Sequence, residues 1–190
     1  YDAGYNATTW NIGDLSNWDT SSVTNMSYMF YDAGYNATSF NIGNLSNWDT
    51  SKVTNMYCAF CNAGYKASTF LLDLSSWNTS NVEEMRYMFY CAGHDATTWG
   101  IGDLSNWDTS SVTNMSHMFS RARFNSTTFS LDLSSWNTQS VTDISYMFYD
   151  AGYNATTWSI GNLSNWNTTS VTNMNSVFCQ EGVEGNKFNQ

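Results

Sequence analysis

The sequence predicts an α/β repeat solenoid, built from units of 29–30 residues that each supply one short parallel strand and one short helix. The first observation behind this is a run of six tryptophans, Trp18, Trp48, Trp77, Trp107, Trp136 and Trp166, spaced 30, 29, 30, 29 and 30 residues apart. A segment of that length cannot bury its apolar face alone, so successive copies must stack to share a core. The second is that the columns around each tryptophan are filled alike. Three residues before it stand Leu15, Leu45, Leu74, Leu104, Leu133 and Leu163; after it come Thr20, Val23, Met26 and Phe30 and their counterparts in every unit, with Ile144 in the Met26 column. The third is local spacing. Val23, Met26, Met29 and Phe30 recur at the interval of a helix face, so that face points inward.

Each element is justified by its flanks. Thr20 and Ser21 suit helix N-caps, and Gly34 suits the residue that stops the helix. Residues 12–18 hold closely spaced apolar side chains bounded by Gly and Ser, which reads as the strand of each unit. Trp48 to Trp107, Trp77 to Trp136 and Trp107 to Trp166 are each 59 residues apart, and the versions ending in Trp77 and Trp136 lack an extra glycine. Duplication of a two-unit block explains this alternation. The chain is expected to be one array over residues 1–190, of about six repeats, cut in mid-repeat at both ends. Tyr1 occupies the column of Tyr31, and Phe188 the column of Phe40, as if opening a further unit.

Composition narrows the partners. The chain is 42% hydrophobic, 17% aromatic and 12% charged, has no proline and carries a net charge of -10. So many aromatic residues can fill a core, which argues against disorder despite the abundant Asn, Ser and Thr. Six Lys plus Arg, scattered without a basic stripe, exclude a nucleic-acid partner, and no apolar run reaches the length of a membrane span. The chain opens on Tyr1 with no initiator Met, as a processed or excised segment would.

The run Trp18-Asp-Thr-Ser-Ser-Val-Thr-Asn-Met-Ser-Tyr-Met-Phe30, repeated in every unit, resembles the BspA-like leucine-rich repeat in the form found in mycoplasma surface proteins and in some protists and algae. The resemblance spans essentially the whole chain. It implies a leucine-rich-repeat-like solenoid, secretion or surface display, adhesion or binding, and no catalytic residue or cofactor. The sequence departs from that pattern in a longer insert, Tyr31-Asp-Ala-Gly-Tyr-Asn-Ala-Thr-Ser-Phe40, expected between helix and strand.

Among individual residues the cysteines come first. Cys61 and Cys91 lie in adjacent units, thirteen and fourteen residues after their tryptophans, so stacking makes them candidates for a disulfide. Cys58 is the alternative partner for Cys91. Cys179, three units beyond Cys91, should be a free thiol or an intermolecular link. A redox or zinc role for Cys58 and Cys61 lacks a second Cys/His pair nearby. Asn6, Asn36, Asn125 and Asn154 are glycosylation candidates, because their sequons share one column of the insert; turn formation is the competing explanation.

Surface columns supply the binding candidates. Tyr5, Tyr35, Tyr65, His94, Phe124 and Tyr153 form an aromatic row that could stack on sugars or on a protein, or could simply cover the helix ends. The Thr20 column could order water or bond along the stack. Asp14, Asn44, Asp73, Asp103, Asp132 and Asn162 form an acidic row, yet without the dense spacing of a calcium loop. His94 and His117 have Tyr column-mates, and no serine has a paired His and acid, so neither metal nor catalytic residues are expected. The function expected is a non-enzymatic scaffold outside the cell or on its surface, recognising proteins or glycans. The alternative is a filament subunit that joins itself end to end.

Overall fold

A computed structural model describes residues 2–180; Tyr1 and residues 181–190, including Phe188, lie outside the described residues. Each unit contributes one three-residue strand: β1 Thr9–Asn11, β2 Ser39–Asn41, β3 Thr69–Leu71, β4 Thr98–Gly100, β5 Thr128–Ser130 and β6 Thr157–Ser159. In each the aromatic middle residue faces inward between two outward-facing neighbours, the period-two signature of a strand. The strands pair in parallel by twos, with Trp10 opposite Phe40, Phe70 opposite Trp99 and Phe129 opposite Trp158. This pairing follows the doubled period of the sequence. A second line of parallel bridges, from Asn25 through Asn55, Glu84, Asn114 and Asp143 to Asn173, links all six units without a break. Parallel pairing of equivalent residues in consecutive units fits a solenoid-like stack.

The strand is therefore not in residues 12–18. That segment is a corner, where the Trp18 N–H donates to the Leu15 carbonyl at 3.1 Å and the Asp14 side chain accepts the Ser16 N–H at 2.9 Å. Its leucine points inward from the bend, Leu15 being 3% exposed. The strand instead closes the insert, which is a wall of the unit.

The expected helix is also absent: among the described residues the only helix is a short 3-10 turn at Leu163–Asn165. Residues 26–37 form a run of β-turns. The N–H groups of Met29, Tyr31, Ala33 and Tyr35 close locally on the carbonyls three residues back, at 3.1–3.3 Å. Between them, Met26, Tyr28, Phe30 and Asp32 donate to Asn55, Tyr57, Ala59 and Cys61 of the next unit, at 2.8–3.0 Å. An α-helix would spend each of these donors internally, and a left-handed φ at Tyr28 (58°) and Asp32 (54°) interrupts any helical path. Because each turn closes over three residues, it reproduces the apolar spacing of a helix face. A helix this short has little stability of its own, whereas alternate donors given to a neighbour bind the units together.

Side-chain ladders complete the stack. Phe30, Phe60, Phe89, Phe119, Phe148 and Phe178 stack ring on ring at 5.4–5.7 Å. In the Trp18 column every ring after the first donates its Nε1–H to a leucine carbonyl of the preceding unit, as Trp48 does to Leu15 and Trp107 to Leu74, both at 3.0 Å. The Thr20 column works in the opposite direction. From Thr20 to Thr138 its hydroxyls are buried and donate to the next unit, Thr50 to the Asn78 carbonyl at 3.0 Å and Thr79 to Asp108 at 2.9 Å, so over these units the column bonds along the stack and is closed to water. Gly93 sits at φ 55°, and a Cβ there would lie 2.5 Å from the Phe70 Cβ, so glycine lets the wall approach the strand closely in this unit, whereas the equivalent position of the fifth unit holds Arg123 at φ 51°.

Candidate functional site

The polar residues divide into those that turn the chain and those that face outward. In the first unit Asp19 and Asn25, like Asp14, accept the N–H two residues on, Ser21 at 3.1 Å and Ser27 at 2.8 Å. Equivalent Asx turns recur in later units, as at Asp108 and Asp143. The abundance of Asp, Asn and Ser thus reflects three corners per unit. Hydrogen bonds from Ser16, Ser75 and Ser134 hold the Asp14, Asp73 and Asp132 carboxyls below the usual carboxylate range. Among the described residues no three His, Cys, Asp or Glu side chains come together as metal ligands.

Tyr5, Tyr35, Tyr65, His94, Phe124 and Tyr153 do form one continuous column. Its ring centroids are 4.8, 4.6, 4.3, 4.7 and 4.5 Å apart and its planes within 14° of parallel. That spacing matches the separation of neighbouring strands, roughly 4.8 Å, so the rings ride on the backbone repeat. Their faces are spent on one another, and only edges and hydroxyls reach solvent. A sugar that stacks on a ring face finds no free face between Tyr35 and Phe124. Burial raises the Tyr65 hydroxyl to about 12.

His117 belongs to a different column, sandwiched between Tyr87 at 4.4 Å and Tyr146 at 4.6 Å, and burial lowers its pKa. His94 Nδ1 lies 2.7 Å from the Asp95 carboxylate. The two histidines stand in separate ladders, and stacking accounts for both.

The four sequon asparagines share a column with Lys66 and Asp95. Asn6, Asn125 and Asn154 are exposed and Asn36 is half-buried. The Asn125 Nδ2 donates to Asp95 Oδ1 at 2.8 Å and Asn154 Nδ2 to Asn125 Oδ1 at 2.9 Å. These bonds employ the nitrogens of Asn125 and Asn154, two of the four that would carry a glycan.

Cys58, Cys61 and Cys91 are buried free thiols and Cys179 is an exposed one. The expected Cys61 to Cys91 bridge is not formed. Asn62 N–H pairs with the Tyr90 carbonyl, which places Cys91 in the column of Asp32 and Asn62, one residue out of step with Cys61. The two side chains leave their turns from successive positions.

The sequence reading passed over the strand face. Thr9, Ser39, Thr69, Thr98, Thr128 and Thr157 point outward in one exposed column. Beside it run Thr8, Thr38, Ser68, Thr97, Thr127 and Thr156, also exposed, and on the far side of the inward aromatic lie Asn11, Asn41, Leu71, Gly100, Ser130 and Ser159. None of these positions is ionisable, although the chain carries 16 Asp plus Glu. Hydroxyls of the Thr8 column run down the stack, Thr38 donating to the Thr8 carbonyl at 3.3 Å and Thr156 to Thr127 at 3.1 Å. The result is a regular, hydrogen-bonding surface with no ionisable residue in its columns, although the buried Arg123 donates its Nη2–H to the Thr128 hydroxyl at 2.7 Å. Its signal was the alternation of Thr or Ser, then an aromatic, then a further outward residue.

Short parallel strands, bridges joining every unit and ladders of stacked rings define a repeat protein whose units fit a solenoid-like array. Residues 2–101 and 95–180 match the family described as Mycoplasma protein of unknown function, DUF285, and the chain belongs to that family. The mycoplasma-type repeat recognised in the sequence is borne out at that level. No curated protein and no solved structure matches the chain. Among the described residues no helix is long and apolar enough to cross a membrane.

Proposed function

We propose that the chain is a non-enzymatic, BspA-like scaffold displayed outside the cell or on its surface, and that it holds a neutral glycan along its strand face. The observation that carries this is the absence of any ionisable residue from the Thr8, Thr9 and Asn11 columns of a strongly acidic chain. A neutral polyol offers hydroxyls but no charge, so it pairs with such a face without desolvating an ion. The aromatic column supports the face by fixing unit spacing. Purified chain is expected to sediment with insoluble neutral polysaccharides. Thr69→Lys, Thr98→Lys and Thr128→Lys together should weaken this about tenfold or more, a loss of about 1.4 kcal/mol or above. Unchanged binding by a folded triple variant overturns the reading.

End-to-end assembly is the second reading, supported by exposed apolar side chains on the outermost described units: Trp18 is 59% exposed and Ile12 39%, Met174 48% and Phe178 41%. Either a further unit or a second copy of the chain would bury them. Negative-stain electron microscopy should then show fibres that Trp18→Lys shortens. Monodisperse short rods at high concentration would exclude assembly.

A further inference from the structure

The turn that carries Cys58, Ala59, Phe60 and Cys61 closes through a hydrogen bond from the Cys61 N–H to the Cys58 carbonyl at 3.2 Å. Such closure brings the first and last Cα atoms within about 7 Å, inside the span a disulfide needs. Both residues are 5% exposed, and each thiol is the largest influence on the other's pKa. Next to Cys58 in sequence, the Tyr57 ring carries the Arg86 guanidinium over it at 4.8 Å. Cys91 stands one column away, beside Asn62. We propose that Cys58 and Cys61 are a redox pair, closed to an intramolecular disulfide by a hydroperoxide, with Cys58 the attacking sulfur and Cys61 the resolving one.

The surroundings assign the roles. The Cys61 thiol lowers the Cys58 pKa, helped by Tyr57 and the positive charge of Arg86, whereas Cys58 and burial push the Cys61 thiol up. Cys58 thiolate attacks a peroxide oxygen, the O–O bond breaks, and the departing hydroxide takes up the proton Cys58 released. Cys61, deprotonated in turn, attacks the Cys58 sulfenic sulfur and expels hydroxide, which leaves as water with the Cys61 proton. Two thiols and one hydrogen peroxide thus give one disulfide and two waters. A buried pair admits only a small oxidant, which is why hydrogen peroxide is the probe.

The test treats the full chain with hydrogen peroxide, alkylates the remaining thiols in denaturant and maps the peptides without reduction. The peptide holding Cys58 and Cys61 should lose two hydrogens and resist alkylation, while Cys91 remains alkylated. Cys61→Ser should instead trap sulfenic acid on Cys58, detected as a dimedone adduct. A Cys91 link to either residue overturns the proposal, as does oxidation of Cys179 while Cys58 and Cys61 stay reduced. If Cys61→Ser fails to fold, the wild-type map alone decides between these outcomes.

Discussion

Replacing Trp107 with alanine measures how strongly neighbouring units are joined. Trp107 is 3% exposed, its ring lies parallel to Trp136 with centroids 6.1 Å apart, and its Nε1–H reaches the Leu74 carbonyl at 3.0 Å. Lost burial and the cavity should cost about 3–5 kcal/mol, a figure that already contains the ring contact. The lost hydrogen bond adds about 1 kcal/mol and no more, because the Leu74 carbonyl keeps the Trp77 N–H at 3.1 Å. The expected total is about 4–6 kcal/mol, much of the stability of an ordinary domain. Trp18→Ala, at a residue 59% exposed, should cost less than about 1 kcal/mol. Urea unfolding followed by circular dichroism gives both numbers. Hydrogen exchange locates the damage, which should appear first in the units holding Leu74 and Trp136, since Trp107 bonds to one and stacks on the other. Equal costs for the two variants, or loss of protection spread evenly over all units, would refute the reasoning.

Other perturbations follow from the same ladders. Gly93→Ala combines a left-handed φ with a Cβ forced against Phe70, and should destabilise by about 2–4 kcal/mol in thermal or urea unfolding. Burial depresses the His117 pKa below its ordinary 6.5, so the unfolded chain binds this proton more readily. Stability should be intact above pH 6.5, fall as pH drops from there towards the folded pKa, and flatten over that window in His117→Tyr. At lower pH the Asx corners fail next. The Asp14, Asp73 and Asp132 carboxyls, lowered by their serine hydrogen bonds, contribute stability above the ordinary 3.8 that disappears as they protonate below it. Acid titration of melting temperature checks this, and Asp73→Asn, which preserves the accepting oxygen, should weaken the dependence.

The core was legible because burial demands the same kind of side chain at each level. Leu15, Trp48, Phe60 and their counterparts announce themselves as columns, buried throughout the inner units and opening to solvent only at the outermost described ones, as at Trp18 and Phe178. The backbone path was not legible from the same residues. Val23, Met26, Met29 and Phe30 advance as on a helix, but turns closing every three residues give the same advance. The difference is where Phe30 sends its N–H, which the sequence does not record. Positive φ is equally hidden: Tyr28, Cys58, Tyr87 and His117 occupy one left-handed column without a glycine among them. The aromatic column was found but its faces could not be seen to be covered, since that depends on the rise per unit. A helical packing distance of roughly 8–10 Å would have left gaps between rings; the observed 4.3–4.8 Å closes them. The neutral strand face escaped notice because Thr9 and Ser39 look like ordinary loop residues until the strand between insert and corner is placed.

The central claim is that the units are joined by turns and short parallel strands in place of helices, and far-UV circular dichroism of the purified chain tests it most directly. The account predicts a spectrum of turn and strand type, after allowance for aromatic bands by comparison with Trp18→Ala and Trp107→Phe. An α-helical double minimum of the strength expected from one helix in each unit would contradict it.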